Sequence, residues 1–338
     1  RSAMPERPDI YGGEFDIIRD FFAPLTTGNH GSLGLTDDAA VLGLPAGKEL
    51  AITADTLVCD VHFRRNDPAR TVAHKLLAVN LSDLAAMGAT PYAYTLAVAW
   101  PGDLDLEWIK DFAAGLGAAQ EHWRIDLVGG DTVRTPGPMT LNLTAFGFIE
   151  TGRALTRSSV CDGDRLFVSG SLGDAALGLR VLQGELAPDN TADRHHLIER
   201  YQQPTPRIAL GGRLIGTANA AIDISDGLLA DVGHMARESG VDIQVNAREL
   251  PLSEPAEKLI SGTPELLEAA YAGGDDYELV FAVPADRSLN FANLSRELKL
   301  PITEIGHAMK CRGDNATVKL MGTDEVEINV TRTGYRHF

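Results

Sequence analysis

The sequence is poor in the features that mark secreted, zinc-binding and membrane proteins. Its 338 residues include three cysteines, Cys59, Cys161 and Cys311, which are odd in number and far apart. Their spacing predicts neither a disulfide framework nor a zinc site, so we expect the protein to work in the cytoplasm. No apolar run approaches the roughly 20 residues that a membrane-spanning helix requires, so we expect no membrane partner.

Positive charge is also scarce. Lysine and arginine contribute 30 residues against 47 aspartates and glutamates, which gives a net charge of −17 at pH 7. Because nucleic-acid binding relies on a basic surface, we expect no nucleic-acid partner. If so acidic a chain binds phosphates, divalent cations must neutralise much of the combined negative charge.

Common phosphate-binding and catalytic motifs are absent as well. The chain contains no GxGxxG, no HRD or DFG set of a protein kinase, no GxSxG elbow and no zincin pair. Segment 43–49, GLPAGKE, resembles a P-loop only superficially, because its glycine spacing is one residue short and Glu49 replaces the Ser or Thr. The sequence therefore does not place the chain in the nucleotide-binding or hydrolase families that these motifs mark.

The sequence does contain a series of isolated aspartates in apolar or glycine-rich surroundings. Asp83 is the only formally charged residue between Lys75 and Asp103, on a predicted helix that follows Asp67-Pro68 and ends at Gly88. A lone carboxylate on an apolar helix face is costly to bury unless it is paired, hydrogen-bonded or protonated. Asp83 is therefore either a satisfied structural carboxylate or a ligand for a cation.

The same pattern recurs at the ends of other predicted strands. Asp55 is the only charge between Glu49 and Asp60, and Asp223 and Asp226 are the only charges between Arg213 and Asp231. Any one of them is most often a turn or cap residue, since aspartate favours both positions. As a set they match magnesium, which takes one or two carboxylates together with substrate phosphates and water.

The hydrophobic pattern predicts a mixed α/β protein of two domains. Up to residue 150 the order is strand, helix, strand, helix, strand, strand, and a polar segment from Thr151 to Asp164 then leads into a second unit. We therefore predict an N-terminal domain over residues 1–150 and a C-terminal domain over 151–338. Within them we expect short strands at Ala39–Leu44 and Glu325–Val330 and a surface loop at Leu186–Arg194.

Nine short motifs together give the chain a specific resemblance. In order they are LTDDAAVL (35–42), TADTLV (53–58), VHF (61–63), AVNLSDLAAMGATP (78–91), VGGDT (128–132), ALTRSS (154–159), IDISDGLLAD (222–231), GGDDYEL (273–279) and GYRHF (334–338). Their combination and order resemble the thiamine-monophosphate kinase family. That family belongs to the superfamily of aminoimidazole-ribonucleotide synthetase, selenophosphate synthetase and a hydrogenase maturation protein.

The resemblance implies an activity and a fold. The activity is ATP-dependent phosphorylation of thiamine monophosphate to thiamine diphosphate, with ATP as co-substrate and several Mg²⁺ ions, in thiamine diphosphate biosynthesis. The fold is a two-domain synthetase-like α/β arrangement. Its N-terminal sheet forms a barrel-like interface in a homodimer, and its C-terminal α/β domain completes the active site.

The resemblance also implies roles for residues at the matching positions. The implied magnesium ligands are Asp37, Thr53, Ala54, Asp55, Asp83, Asp131, Asp223 and Asp226. The implied ATP contacts are Gly130, Asp131, Arg157 and Ser225, and the implied contacts to thiamine monophosphate are His62, Asp275 and Tyr335. Two positions depart from the family pattern, because Thr36 stands where Gly is usual and Asp275 stands where Glu is usual.

No residue is predicted to act as a general base or nucleophile. The implied acceptor is a phosphate oxygen that is already anionic near neutral pH, so direct in-line transfer needs no base. Two alternatives stay open at this point. One is a different ATP-driven reaction of the superfamily, although the N-terminal reactive cysteine of selenophosphate synthetase and the C-terminal cysteine of the hydrogenase protein are both absent. The other is a non-catalytic protein that binds a nucleotide or thiamine phosphate.

Overall fold

A computed structural model of the chain describes residues 14–26, 28, 30–103, 105–287, 291–323 and 326–335. The chain divides into two compact units. Unit 1 consists of Arg1–Pro45, Ala54–Leu77 and Pro91–Phe146, and unit 2 consists of Ala46–Thr53, Ala78–Thr90 and Gly147–Phe338. No helix within the described residues combines the length and the apolar character required to cross a membrane.

From β1 to residue 150 the helices and strands follow the predicted order. The strands are β1 (Lys48–Val58), β2 (Thr90–Pro101), β3 (Asp126–Thr135), β4 (Thr140–Glu150), β5 (Arg165–Ser169), β6 (Ala220–Asp223), β7 (Val241–Asn246), β8 (Leu279–Val283), β9 (Ile302–Lys310) and β10 (Val318–Met321). The helices are α1 (Glu14–Ile17), α2 (Ala69–Ala86), α3 (Leu106–Trp123), α4 (Asp174–Leu182), α5 (Thr191–Gln202), α6 (Ile208–Leu214), α7 (Leu228–Ser239), α8 (Glu254–Gly262), α9 (Glu268–Ala272) and α10 (Phe291–Leu298).

The first four strands form one sheet in the order β1-β4-β2-β3, with β2 and β3 parallel. Their pattern of alternating side chains is clearest in β4, where every second residue from Leu141 to Ile149 is buried. The long helix α2 ends at Ala86, just before the predicted stop at Gly88, whose φ of 73° is a conformation that glycine adopts without strain. At its other end α2 begins at Ala69, and the Pro68 carbonyl accepts the first hydrogen bonds, from Thr71 and Val72.

The remaining strands form a six-stranded sheet in the order β10-β7-β9-β5-β8-β6, antiparallel except for the β10–β7 pair. Strand alternation gives this sheet two apolar faces. In β5, Leu166 and Val168 pack into one core with residues of α7, while Phe167 packs into a second core with residues of α6 and α10. Burial on both faces makes this sheet the centre of unit 2, and it confirms the mixed α/β class.

Three local predictions were wrong or lie partly outside the described residues. Ala39–Leu44 is irregular, because Val41 and Leu44 are 71% and 58% exposed and no described strand pairs with the segment. The predicted loop Leu186–Arg194 contains the start of α5, where the Asn190 side chain accepts a hydrogen bond from the Ala192 N–H at 2.8 Å. The predicted strand at 325–330 is only a single bridge, Glu327 to Met321, and residue 325 is outside the described residues.

Neighbouring glycines on α6 give a matched test of this packing. A Cβ atom on Gly211 would lie 2.0 Å from the Ala85 carbonyl oxygen on α2, whereas nothing lies within 4 Å of a Cβ on Gly212. We therefore expect Gly211→Ala to lower the free energy of unfolding by about 1–3 kcal/mol through overpacking. Gly212→Ala should leave it unchanged or raise it by about 1 kcal/mol, because alanine is the better helix former. Urea unfolding of both variants checks this, and equal effects of the two substitutions would contradict the packing.

Candidate active site

In unit 1 a cavity of about 130 Å³ gathers several of the predicted residues. Asp37, Gly130 and Asp131 line it together with Asp38 and with apolar side chains such as Phe22. All three aspartates are exposed to solvent, so a ligand can reach their carboxylates from outside. Among the described residues, Ala54, Asp55 and His62 also belong to unit 1 but do not line this cavity.

Position 130 requires glycine because two strands approach each other closely there. In the parallel pairing of β2 and β3 it lies opposite Leu96, and a Cβ at this position would lie 1.9 Å from the Leu96 carbonyl oxygen. The next residue, Asp131, uses one carboxylate oxygen to accept a hydrogen bond from the Thr132 N–H at 2.8 Å. Within the described part of the chain its other oxygen accepts no hydrogen bond, so the carboxylate presents an acceptor at the cavity.

His62 is held on both sides in the turn after β1. Its Nδ1 accepts a hydrogen bond from the Val58 N–H at 3.0 Å, and its carbonyl accepts one from the buried Lys75 ammonium at 3.2 Å. Because Nδ1 is an acceptor, the neutral ring carries its proton on Nε2. The ring therefore carries an Nε2–H donor, a type of group that can hydrogen-bond a phosphate oxygen.

In unit 2, Asp83 is hydrogen-bonded to Thr53, which is another predicted magnesium ligand. The Thr53 hydroxyl on β1 donates to the Asp83 carboxylate on α2. Burial raises the pKa of Asp83, while the Thr53 hydrogen bond and the nearby Arg157 guanidinium lower it. Asp83 is thus a half-buried carboxylate with an arginine in its surroundings, which places three predicted site residues in one neighbourhood. Strand alternation puts Asp55 on the same face of β1 as Thr53, and Ala54 on the opposite face.

The residue before Asp83 provides a second link. The fully buried Ser82 hydroxyl donates to the Asp223 carboxylate at the end of β6, at 2.7 Å. The two residues are 141 positions apart in sequence. Asp83 and Asp223 are therefore brought close through adjacent residues of α2.

The loop after β6 carries Ser225 and Asp226 and is shaped by one buried carboxylate. Asp231, on the first turn of α7, accepts hydrogen bonds from the backbone N–H groups of Ser225, Asp226 and Gly227, each at 3.1 Å. Burial and the neighbouring Asp226 charge raise the pKa of Asp231 to about 7, although these N–H groups act in the opposite direction. Asp231 fixes the loop backbone and leaves the Asp226 side chain at the surface of a cavity.

Two more segments with predicted substrate contacts attach to this same loop. The Asp275 N–H donates to the Ser225 carbonyl, and the Tyr335 N–H donates to the Asp226 carbonyl, both at 2.9 Å. Tyr335 and Asp226 line a cavity of about 570 Å³ whose wall also includes His234 and Arg237 on α7. Four of the predicted residues of unit 2 are therefore joined by direct backbone hydrogen bonds.

The carboxylates at the unit 1 cavity are oxygen donors of the kind that magnesium takes. Within the described residues, no three or more histidine, cysteine, aspartate or glutamate side chains form a group that could hold a metal ion. The carboxylates come instead in ones and twos, as with Asp37 and Asp131 at one cavity, and the donors near them are oxygens. Magnesium is typically bound by one or two carboxylates, with substrate phosphates and water completing its shell.

Several neighbours of these residues were not assigned roles from the sequence. They are Asp38 at the unit 1 cavity, Lys75 behind His62, Ser82 on Asp223 and Asp231 behind the 225–227 loop. Asp38 and Ser82 lie directly beside the predicted residues Asp37 and Asp83 in the sequence motifs. Their position in the sequence could therefore have identified them. Asp231 lies in the same motif as Ser225 and Asp226, four to six residues from the N–H groups that it accepts from. Nothing in the local sequence indicates the contact of Lys75, because it depends on how α2 packs against the turn after β1.

Two family models match the chain. The N-terminal domain of AIR synthase related proteins matches residues 36–149, and the C-terminal domain of the same proteins matches residues 162–319. Among curated relatives, the thiamine-monophosphate kinase of Caulobacter vibrioides is 40% identical over 327 residues, which is 96% of this chain and 90% of that protein.

Solved structures give the same likeness. The thiamine-monophosphate kinase of Stenotrophomonas maltophilia superposes with a TM-score of 0.80 at 42% identity, covering 89% of this chain and 95% of that one. A structure of AaThiL complexed with AMPPCP and TMP superposes with a TM-score of 0.76 at 31% identity, covering 92% of this chain and 98% of that one.

The pKa of Asp231 predicts how stability depends on pH. Its carboxyl changes from an ordinary value of 3.8 to about 7 on folding, so the folded state holds the proton more tightly. Stability should therefore fall as pH rises through this range, by up to about 1.4 kcal/mol per pH unit. Asp231→Asn, which cannot titrate, should flatten the decline.

Urea unfolding of the metal-free protein at several pH values between about 5 and 7 measures this slope. Asp189→Asn, at an exposed position, serves as the control and should keep the wild-type slope. An unchanged slope in Asp231→Asn would show that the decline has another source.

Proposed function

Because the chain belongs to the thiamine-monophosphate kinases of the AIR synthase related proteins, we propose that it phosphorylates thiamine monophosphate. The terminal phosphoryl group of ATP passes to the phosphate of thiamine monophosphate, giving thiamine diphosphate and ADP. The observation that carries this proposal is the structure complexed with AMPPCP and TMP, which matches 92% of this chain at 31% identity.

We assign the site residues by motif and support each assignment with its surroundings. The proposed magnesium ligands are Asp37, Thr53, Ala54, Asp55, Asp83, Asp131, Asp223 and Asp226. The proposed ATP contacts are Gly130, Asp131, Arg157 and Ser225, and the proposed contacts to thiamine monophosphate are His62, Asp275 and Tyr335. The support is that Asp37, Gly130 and Asp131 share a cavity in unit 1, and that Ser225, Asp226, Asp275 and Tyr335 are joined in unit 2.

The main obstacle to this reaction is repulsion between two polyanions. One like-charge pair 4 Å apart costs roughly 4 kcal/mol at an effective dielectric constant of about 20. Magnesium, when bound by these aspartates, supplies the positive charge that neutralises both phosphates and helps to align them. The protein groups contribute the Arg157 guanidinium and the His62 Nε2–H, which are suited to hold phosphate oxygens.

Proton transfer is a smaller problem in this mechanism. The attacking oxygen belongs to a phosphate that is already ionised near neutral pH, so no side chain needs to remove a proton from it. The remaining requirement is to position the two reacting phosphates. The residues proposed to do this are themselves held by fixed partners. Asp83 is held by Thr53, the 225–227 loop by Asp231, and His62 by Val58 and Lys75.

The first test is product formation. The protein is mixed with ATP, magnesium and thiamine monophosphate, and the nucleotides and thiamine phosphates are separated by chromatography. We expect ADP and thiamine diphosphate in equal amounts, and no thiamine diphosphate when magnesium is chelated. Binding without product would support the non-catalytic alternative, and ADP without thiamine diphosphate would support a different acceptor.

Substitution of the proposed metal ligands gives a sharper test. Asp83→Asn and Asp131→Asn keep side-chain size but remove the charge, so we expect each to retain the fold and to lower kcat about 100-fold or more. Circular dichroism checks the fold and steady-state kinetics check the turnover. The matched control is Asp189→Asn, an exposed aspartate outside both cavities. Near-normal turnover of Asp83→Asn or Asp131→Asn at saturating magnesium would rule out the metal assignment.

We also propose that the protein is a homodimer that associates through the sheet containing β1. This strand lies at the edge of its sheet, and its outer face carries the exposed apolar residues Leu50 and Ile52, the latter 60% exposed. An edge strand has unpaired backbone groups, and exposed apolar side chains are stabilised when another chain covers them. A barrel-like interface between two such sheets would cover these side chains.

If the protein is a dimer of this kind, one charge introduced into the proposed interface should disrupt it. Ile52→Lys should shift the protein from dimer to monomer in sedimentation-velocity experiments, because the new charge would be buried in the interface. Val326→Lys, at a residue that is 63% exposed and remote from β1 in sequence, is the control and should leave the dimer intact. A monomeric wild type would refute the proposal.

Two further assignments remain proposals. We place the protein in the cytoplasm, with support from the three cysteines, which are all free thiols. We also keep the division into domains 1–150 and 151–338, with support from the family-model matches to residues 36–149 and 162–319.

A further inference from the structure

A fully buried glutamate in unit 2 is surrounded by positive and polar donors. Glu278 lies directly before β8, and one of its carboxylate oxygens accepts hydrogen bonds from Ser169 at 2.6 Å and from the Arg207 Nε at 2.7 Å. Its other oxygen accepts from Arg200 at 2.9 Å and from the second arm of the Arg207 fork at 2.5 Å. A carboxylate with this many donors is held in one position.

Two neighbours, Gly170 and Arg200, fit closely around the Glu278 carboxylate and the backbone beside it. Gly170 follows β5 with a φ of 64°, and a Cβ there would lie 2.1 Å from a Glu278 carboxylate oxygen. Arg200 also donates to the Asp276 carbonyl at 3.2 Å, so it holds both the side chain of Glu278 and the backbone two residues earlier. The cluster is therefore built into the strand ends and the helix α5.

The segment that precedes Glu278 has an unfavourable backbone. Asp275 and Tyr277 have φ values of 70° and 50°, in the left-handed region that non-glycine residues rarely adopt. Such a conformation persists only where surrounding contacts impose it. Three hydrogen bonds do so: Asp275 N–H to the Ser225 carbonyl, Tyr277 N–H to the Ile224 carbonyl, and Ile224 N–H to the Glu278 carbonyl.

These contacts link the buried cluster to the proposed substrate site. Asp275 is one of the three proposed contacts to thiamine monophosphate, and it lies three residues before Glu278 in the strained segment. Asp276, between them, points inward, where both of its carboxylate oxygens accept from the Gly173 N–H at 2.9 and 3.0 Å. Segment 275–278 therefore has two acidic residues anchored in the interior, and the Asp275 carboxylate accepts a hydrogen bond from the Tyr277 hydroxyl of the same segment at 3.1 Å.

We propose that the Arg200–Glu278–Arg207 cluster is a positioning device that keeps Asp275 in place for binding thiamine monophosphate. The cluster acts by holding segment 275–277 in its strained conformation against residues 224–225. Neither arginine nor Glu278 has a proposed contact with ligand, so their effect passes through Asp275. This inference rests on the proposed function for its readout, and its structural part is measurable separately.

The test uses Arg207→Gln, which removes one arginine and leaves Arg200 and Ser169 on Glu278. We expect kcat/KM for thiamine monophosphate to fall about 10- to 100-fold, since small displacements of positioning groups have effects of this size. The KM for thiamine monophosphate should rise more than the KM for ATP, because Asp231 independently holds Ser225. Arg207→Lys, which keeps the charge but not the fork, should be intermediate.

Two matched measurements separate positioning from general stability. Arg213→Gln breaks an exposed ion pair between Arg213 on α6 and Glu297 on α10 in the same unit, and it should leave kcat/KM unchanged. Hydrogen exchange should speed up at the Asp275 and Tyr277 amides in Arg207→Gln but not in Arg213→Gln. If Arg207→Gln does not fold, the milder Arg207→Lys carries both measurements.

A double-mutant cycle with Asp275→Ala decides the mechanism. If the cluster acts through Asp275, Arg207→Gln should have little further effect on kcat/KM in the Asp275→Ala background. Additive effects, or faster amide exchange with unchanged kcat/KM, would overturn the inference while leaving the proposed function intact. A wild type that forms no thiamine diphosphate would instead refute the proposed function itself.

Discussion

A carboxylate removed from water must be given hydrogen-bond donors or a positive partner, and this acidic chain has to meet that requirement many times. Glu278 receives two arginines and a serine, Asp231 receives three backbone N–H groups, and Asp223 receives the Ser82 hydroxyl. The contacts of Glu278 and Asp223 join segments that are distant in sequence, whereas those of Asp231 span only four to six residues. The packing of unit 2 around its six-stranded sheet depends on them.

The same requirement separates two kinds of aspartate. Those enclosed by donors, such as Asp231 and Asp276, fix the backbone of loops that carry other functional candidates. Those left exposed at a cavity, such as Asp37 and Asp131, keep oxygens available for a ligand. For a reaction between two polyanions, the second kind is useful only if cations accompany the substrates, which is why the proposed mechanism assigns them to magnesium. The first kind supplies the rigidity that in-line transfer requires.

Sequence reasoning was strongest where local pattern alone decides the structure. The order of strands and helices from β1 to residue 150, the end of α2 just before Gly88 and the mixed α/β class all follow from periodicity and from glycine conformation. It failed at Ala39–Leu44, whose apolar residues find no strand partner among the described residues, and at α5, where a polar sequence is helical because Leu197 and Tyr201 are buried. In both places the outcome depended on neighbours that the local sequence does not specify.

For the site, the sequence by itself determined which residues are chemically unusual and which family they belong to. Isolated aspartates at strand ends and nine ordered motifs were readable without coordinates. Only the tertiary structure decided which carboxylates are enclosed and by what. The Ser82–Asp223 contact spans 141 positions and the arginine cluster on Glu278 spans 71 and 78, and such pairings are set by how helices and strands pack. Burial and hydrogen bonding are properties of that packing, so no local pattern could have supplied them.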